Sequence, residues 1–134
     1  MTSYTKKEVG DLVDGRLPFN TVHRMLSMPK DVERFELYLQ VLQERVSWPD
    51  KIILARGPHL YIVQDAKSKR WVNKCACGHV MGEYHENWKL YANIFVRNSE
   101  ALLNELQPKL MAPHHEWQEI REFICPECGI MHDV

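Results

Sequence analysis

Four cysteines fall as two close pairs, Cys75-Ala76-Cys77 and Cys125-Pro126-Glu127-Cys128, separated by a long intervening stretch. In a secreted chain such pairs read as disulfides; in a reducing compartment they point to metal binding or redox chemistry. The first seven residues, Met1-Thr2-Ser3-Tyr4-Thr5-Lys6-Lys7, lack the apolar segment of a secretory signal. The longest apolar runs, residues 52–55 and 60–63, are far too short to cross a bilayer. The expectation is therefore a cytoplasmic chain with no membrane partner, whose thiols ligate metal.

The spacing supports tetrahedral coordination. Zinc–sulfur bonds of about 2.3 Å place neighbouring sulfurs about 3.8 Å apart. Residues i and i+2 of a flat strand lie roughly 7 Å apart at Cα, so the chain must turn at each pair. Gly78 and Gly129, which follow the pairs, permit the positive φ such turns need. Backbone N–H groups exposed there can hydrogen-bond the thiolates. Two turns brought together give a four-cysteine zinc site made of Cys75, Cys77, Cys125 and Cys128; a set of three cysteines with His79 or His132 is the variant. Four thiolates fill the sphere and blunt Lewis acidity, which favours a structural over a catalytic ion. A redox reading of Cys125-Pro126-Glu127-Cys128 lacks the following helix that would stabilise a thiolate.

Along the chain, residues 5–13 form a short helix stopped near Gly15, and residues 19–26 a second, with Pro18 at its start. Over residues 31–46 the spacing of Phe35, Tyr38, Leu39, Leu42 and Val46 predicts one apolar face of a helix, with Glu36, Gln40, Gln43 and Glu44 opposite. Trp48-Pro49 ends it. Residues 51–54 and 59–63 read as strands about a Gly57-Pro58 turn, and residues 69–74 as a strand entering the first cysteine pair after a connection at 65–68. Residues 90–97 fit strand or helix. Ser99 caps a short helix, and residues 116–124 lead to the second pair. A length of 134 residues accommodates one domain with an appended arm. The expected fold class is α+β: a helical arm over residues 1–50, then a small antiparallel β domain over residues 51–134 with a zinc-ribbon-like four-cysteine site.

Seventeen basic against eighteen acidic residues leave no spare positive charge for gripping nucleic acid. No phosphate-binding glycine loop, dinucleotide fingerprint or nucleophile elbow occurs, and no nucleophile sits in a recognisable base-and-orienter set, so no catalytic and no cofactor-binding residue is assigned. His79, Glu83, His85 and Glu86 could hold a second metal or relay protons, but read more simply as a solvated loop; His114-His115-Glu116 reads as surface. Trp48, Trp71, Trp88 and Trp117 divide between core and partner contacts.

Several blocks are similar to the acetone carboxylase gamma subunit family. They are Leu12-Val13-Asp14-Gly15, His23-Arg24-Met25-Leu26-Ser27-Met28-Pro29-Lys30-Asp31, Leu42-Gln43-Glu44-Arg45-Val46, Gly57-Pro58-His59-Leu60-Tyr61-Ile62-Val63-Gln64, Cys77-Gly78-His79, Asn87-Trp88-Lys89-Leu90, Leu110-Met111-Ala112-Pro113 and Cys125-Pro126-Glu127-Cys128-Gly129. The resemblance implies a zinc-containing accessory subunit, inactive alone, of a biotin-independent, ATP-dependent ketone carboxylase. Its implied partners are large, hydantoinase-like subunits that use ATP and Mg2+ or Mn2+ to activate a ketone enolate and bicarbonate by phosphorylation. The implied products are β-keto acids: acetoacetate from acetone, benzoylacetate from acetophenone. Gamma subunits of the acetone enzyme run on well past the second cysteine pair, whereas this sequence stops at Val134, which leans the expectation toward acetophenone. The competing expectation is a free-standing zinc-ribbon module that binds protein or nucleic acid; the acidic residues near the cysteines, Glu83, Glu86, Glu116, Glu119, Glu122 and Glu127, speak against the basic face such modules carry.

Overall fold

A computed structural model describes residues 4–134. Helix α1 (Lys6–Val13) starts from a reciprocal cap: the Thr5 side chain accepts the Glu8 N–H while the Glu8 carboxylate accepts the Thr5 N–H. It stops at Asp14, and the next residue, Gly15, turns the chain at φ +69°. Helix α2 (Phe19–Ser27) follows directly on Pro18. Helix α3 (Arg34–Gln43) is shorter at both ends than the 31–46 periodicity suggests. At its start the Asp31 carboxylate accepts the N–H groups of Glu33 and Tyr4, an arrangement that competes with helical bonding over residues 31–33.

Two separate surfaces cover α3. Val41 joins Tyr4, Val9 and Met25 in a cluster beneath the other helices. Leu42, one residue on, joins Ile52, Tyr61 and Val63 against the sheet. The buried arc is therefore wider than the predicted stripe and rotated from it: Val41 is buried, whereas Phe35 remains largely exposed. Each fully buried aliphatic side chain here contributes about 1.5–3 kcal/mol of transfer free energy.

Four strands follow as an antiparallel meander in chain order: β1 (Lys51–Gly57), β2 (Leu60–Gln64), β3 (Trp71–Cys75) and β4 (Val80–Glu83). Strand β2 is buried on both faces. Tyr61 and Val63 pack toward the helices, and Leu60 packs toward the cysteines. Between β2 and β3 the Asp65 carboxylate accepts the N–H groups of Lys67 and Ser68. Strand β4 falls in the stretch expected to be loop. Gly82 within it has φ +85°, and a Cβ there would run into the Tyr91 ring.

The second sheet holds β5 (Asn93–Arg97), β6 (Ile120–Ile124) and β7 (Met131–Asp133), antiparallel in that order, with α4 (Glu100–Asn104) capped by Ser99 between the first two. Residues 90–97, open between helix and strand on sequence alone, contain both: a 3-10 turn over Trp88–Tyr91 and then β5. The architecture is thus α+β, with N-terminal helices followed by two small antiparallel sheets and a zinc-ribbon-like cysteine cluster. Among the described residues no helix is long and apolar enough to cross a membrane.

Candidate metal centre

Each cysteine pair sits on a bend between two antiparallel strands. Cys75 ends β3, and Cys77 lies in the turn to β4; Cys125 follows β6, and Cys128 lies in the turn to β7. In the first bend the Gly78 N–H donates to the Cys75 carbonyl at 2.8 Å and the Cys75 N–H to the His79 carbonyl at 2.9 Å. In the second, the Gly129 N–H donates to the Cys125 carbonyl at 3.0 Å and the Cys125 N–H to the Ile130 carbonyl at 2.8 Å. Gly78 and Gly129 take φ values of +105° and +76°, as turns of this kind demand. The same bends bring the backbone N–H groups of Cys77, His79 and Ile130 toward the sulfurs of Cys75, Cys77 and Cys128, which favours their thiolate forms.

The two bends face each other. All four Sγ atoms lie within 4.8 Å of one another. Cys75 and Cys128 are 3.8 Å apart, as are Cys77 and Cys125, which matches the sulfur–sulfur edge of about 3.8 Å that 2.3 Å bonds impose. The cluster is able to hold a tetrahedral metal ion. The four residues singled out from their spacing are the ones the fold brings together, from positions far apart in sequence.

The site is asymmetric. Cys75 and Cys125 are buried with Leu60 and Met81, whereas Cys77 and Cys128 face solvent. Burial pushes the Cys75 and Cys77 thiols up, while the Ile130 N–H holds Cys128 below the usual thiol range. In the metal-free chain the Cys75 thiol therefore resists ionisation, and a divalent cation is the natural counter-charge for its thiolate.

The histidines weighed as substitutes stand aside. His132 packs edge-on against Trp88 at 5.8 Å, and burial lowers its pKa. His79 contributes its backbone. Of the group at residues 79–86, Glu83 lies on β4, and the Glu86 carboxylate accepts the Glu83 N–H and the Tyr91 hydroxyl, both at 2.8 Å. Among the described residues these side chains form no metal-ligating cluster. His114 and His115 stack on each other at 4.5 Å, beside exposed Glu116.

Sequence reasoning missed the polar struts behind the site. The Trp48 indole N–H donates to the Ala76 carbonyl at 3.0 Å, Lys74 pairs with buried Asp50, and Lys74 lies 4.9 Å from the Trp48 ring centre. The Gln43 amide, read as solvent-facing, donates to the Asp50 carbonyl at 3.0 Å and accepts the Ile52 N–H at 2.9 Å. All of these contacts span elements, and periodicity carries no signal for them.

Comparison with known proteins gives the arrangement a family. The family model described as acetone carboxylase gamma subunit matches residues 46–134, which include all seven strands and both bends. A relative from Xanthobacter autotrophicus (strain ATCC BAA-1158 / Py2), named acetone carboxylase gamma subunit, is 52% identical over 132 residues, covering 98% of this chain and 79% of the relative. On both counts the chain belongs to the acetone carboxylase gamma subunit family.

Proposed function

We propose that the chain is a non-catalytic, zinc-braced subunit of a biotin-independent, ATP-dependent ketone carboxylase, which converts a ketone and bicarbonate to a β-keto acid. The observation that carries the reading is the 52% identity to a named gamma subunit along nearly the full chain. Its physical support is the cluster of four sulfurs from two separate sheets.

In this reading Cys75, Cys77, Cys125 and Cys128 hold zinc. The ion cross-links the β3–β4 bend to the β6–β7 bend; four thiolates leave it no open position for a substrate. Residues 51–134 form the zinc-binding domain and residues 1–50 the helical arm that lies across the catalytic subunits. Activation of the ketone enolate and bicarbonate with ATP and Mg2+ or Mn2+ takes place on those large, hydantoinase-like subunits in the cytoplasm, and this chain fixes their geometry. Of the two ketones expected, acetone has the support of the relative's name, and acetophenone is the alternative that the same assay separates.

The test is expression of the large subunits with and without this chain, followed by measurement of complex mass, zinc content and carboxylation of acetone and acetophenone. Assembly and turnover should need the chain, with one zinc per copy. Normal assembly and carboxylation in its absence would refute the reading.

A further inference from the structure

The helices leave an apolar groove open. Its volume is about 410 Å³, and Val22 and Leu26 of α2 and Phe35 of α3 line it. Its floor includes Val9 and Met25, which are buried. Phe19, Val22 and Leu26 recur at i, i+3 and i+7 on one face of α2, yet Phe19 and Leu26 are each 81% exposed, and Phe35 is 46% exposed. Leu26 and Phe35 in the groove, with Phe19 on the same face of α2 but outside the lining, turn roughly 400 Å² of apolar surface outward, against about 800 Å² per partner in a standard interface. That is the size of the largest apolar patch on a typical monomer, and such patches are often functional.

The charges at the groove select its occupant. Lys30, Asp31 and Arg34 stand along it. Both oxygens of Asp31 are taken by backbone N–H groups, of Tyr4 and Glu33. Arg34 donates to the Met25 carbonyl at 3.4 Å and lies over the Tyr4 ring, with no carboxylate partner among the described residues. Two cations against one carboxylate leave the rim net basic by one charge around an apolar trough.

We propose that this groove seats an apolar helical segment with an acidic flank, supplied by a large carboxylase subunit; the inference rests on the subunit reading above. Leu26 of α2 and Phe35 of α3 contact the apolar face of that segment, and Lys30 meets its acidic flank.

The experiment uses the full-length tagged chain, purified from its native host, and the large subunits it retains, identified by mass and by ketone carboxylation. Affinity for the purified large subunits is then measured for Leu26→Glu, Phe35→Glu and Lys30→Glu, each checked for wild-type zinc content and circular dichroism. Leu26→Glu and Phe35→Glu should each weaken Kd by about thirtyfold. Lys30→Glu, remote from the core, should weaken it about fivefold at low salt. If the wild-type chain retains the large subunits and Leu26→Glu binds them equally well, the groove proposal is overturned while the subunit reading stands. If Lys30→Glu binds as tightly as wild type, the acidic flank is wrong. If the isolated chain is a dimer that Leu26→Glu makes monomeric, a second copy fills the groove and the proposal falls. If the wild-type chain retains no carboxylase subunit, the subunit reading itself fails.

Discussion

The indole N–H of Trp48 donates to the carbonyl of Ala76 at 3.0 Å. This one bond ties the chain leaving α3 to the residue between Cys75 and Cys77, so the helices and the first cysteine bend share a fixed point. The Trp48 ring also packs against Tyr61 at 6.2 Å and approaches the position a Cβ would take on Gly78, 3.4 Å away. Trp48→Leu removes the donor and most of the ring. It should cost about 3 kcal/mol in urea unfolding while leaving metal stoichiometry unchanged, because no sulfur moves. Loss of metal binding in that variant would show that the bend depends on the indole for its shape.

Asp50 and Lys74 form an ion pair whose side chains are only 6% and 11% exposed. The second Asp50 oxygen accepts the Ala66 N–H at 2.7 Å, so the carboxylate is fully committed. Lys74→Met leaves that carboxylate buried without its counter-charge and should destabilise by about 3–5 kcal/mol. Asp50→Asn with Lys74→Met together should cost less than the two single changes added, because neither charge is then stranded. A double-mutant cycle in urea measures the coupling; strict additivity would mean that the pair is solvated and energetically idle.

How much of this could be read from the sequence follows from the range of the interactions. The stop at Gly15 was legible, whereas the cap between Thr5 and Glu8, only three residues apart, was passed over because Thr5 was read as part of the helix. The cysteines were legible because coordination chemistry restricts ligand type and spacing wherever the ligands lie. Strands β4 and β7 were not: four and three residues long, the first containing Gly82 and the second His132 and Asp133, they carry too little alternation to register. Val41 was assigned no role because the predicted stripe assumed one covering surface, whereas α3 has helices on one side and β1 and β2 on the other. Gln43 was misplaced for a related reason: its amide satisfies the backbone of Asp50 and Ile52, a task that appears only when α3 and β1 are seen together.

Acid should loosen α1. Hydrogen bonds from the backbone and hydroxyl of Thr5 hold Glu8 below its usual range; Lys7 does so for Asp11, and Arg45 does so for Asp14. A carboxylate whose pKa is lowered on folding adds stability that is present above its unfolded value, near 4.5 for Glu8 and 3.8 for the aspartates, and lost as pH falls through the lower folded value. The melting temperature should therefore fall between about pH 4.5 and pH 2. Glu8→Gln should flatten part of that fall, and raised salt should shrink the Asp11 and Asp14 share, since their partners Lys7 and Arg16 are largely exposed. A melting temperature independent of pH across this window would show that the caps and pairs of α1 contribute nothing.

Metal removal should act unevenly along the chain. No strand of β1–β4 pairs with any strand of β5–β7; apart from the cysteines, the two sheets meet through a cluster of Leu60 and Met81 with Trp88, Ala92 and Ile130. The first sheet has a second support, the helix-facing cluster of Leu42, Ile52, Tyr61 and Val63, which contains no sulfur. Structural zinc in small sites contributes on the order of 10–16 kcal/mol at neutral pH, and that stabilisation falls mainly on the second sheet, which lacks the helix-facing cluster that supports the first. Chelation should therefore speed amide exchange in residues 120–133 far more than in residues 51–64, read by hydrogen–deuterium exchange with mass spectrometry. Cys125→Ser, at a buried cysteine, should abolish metal retention, whereas Cys128→Ser, at an exposed one, should weaken it but leave the remaining three sulfurs and water to hold a metal ion. Equal exchange in both sheets after chelation would mean that the Leu60–Met81 cluster, and not the ion, joins them.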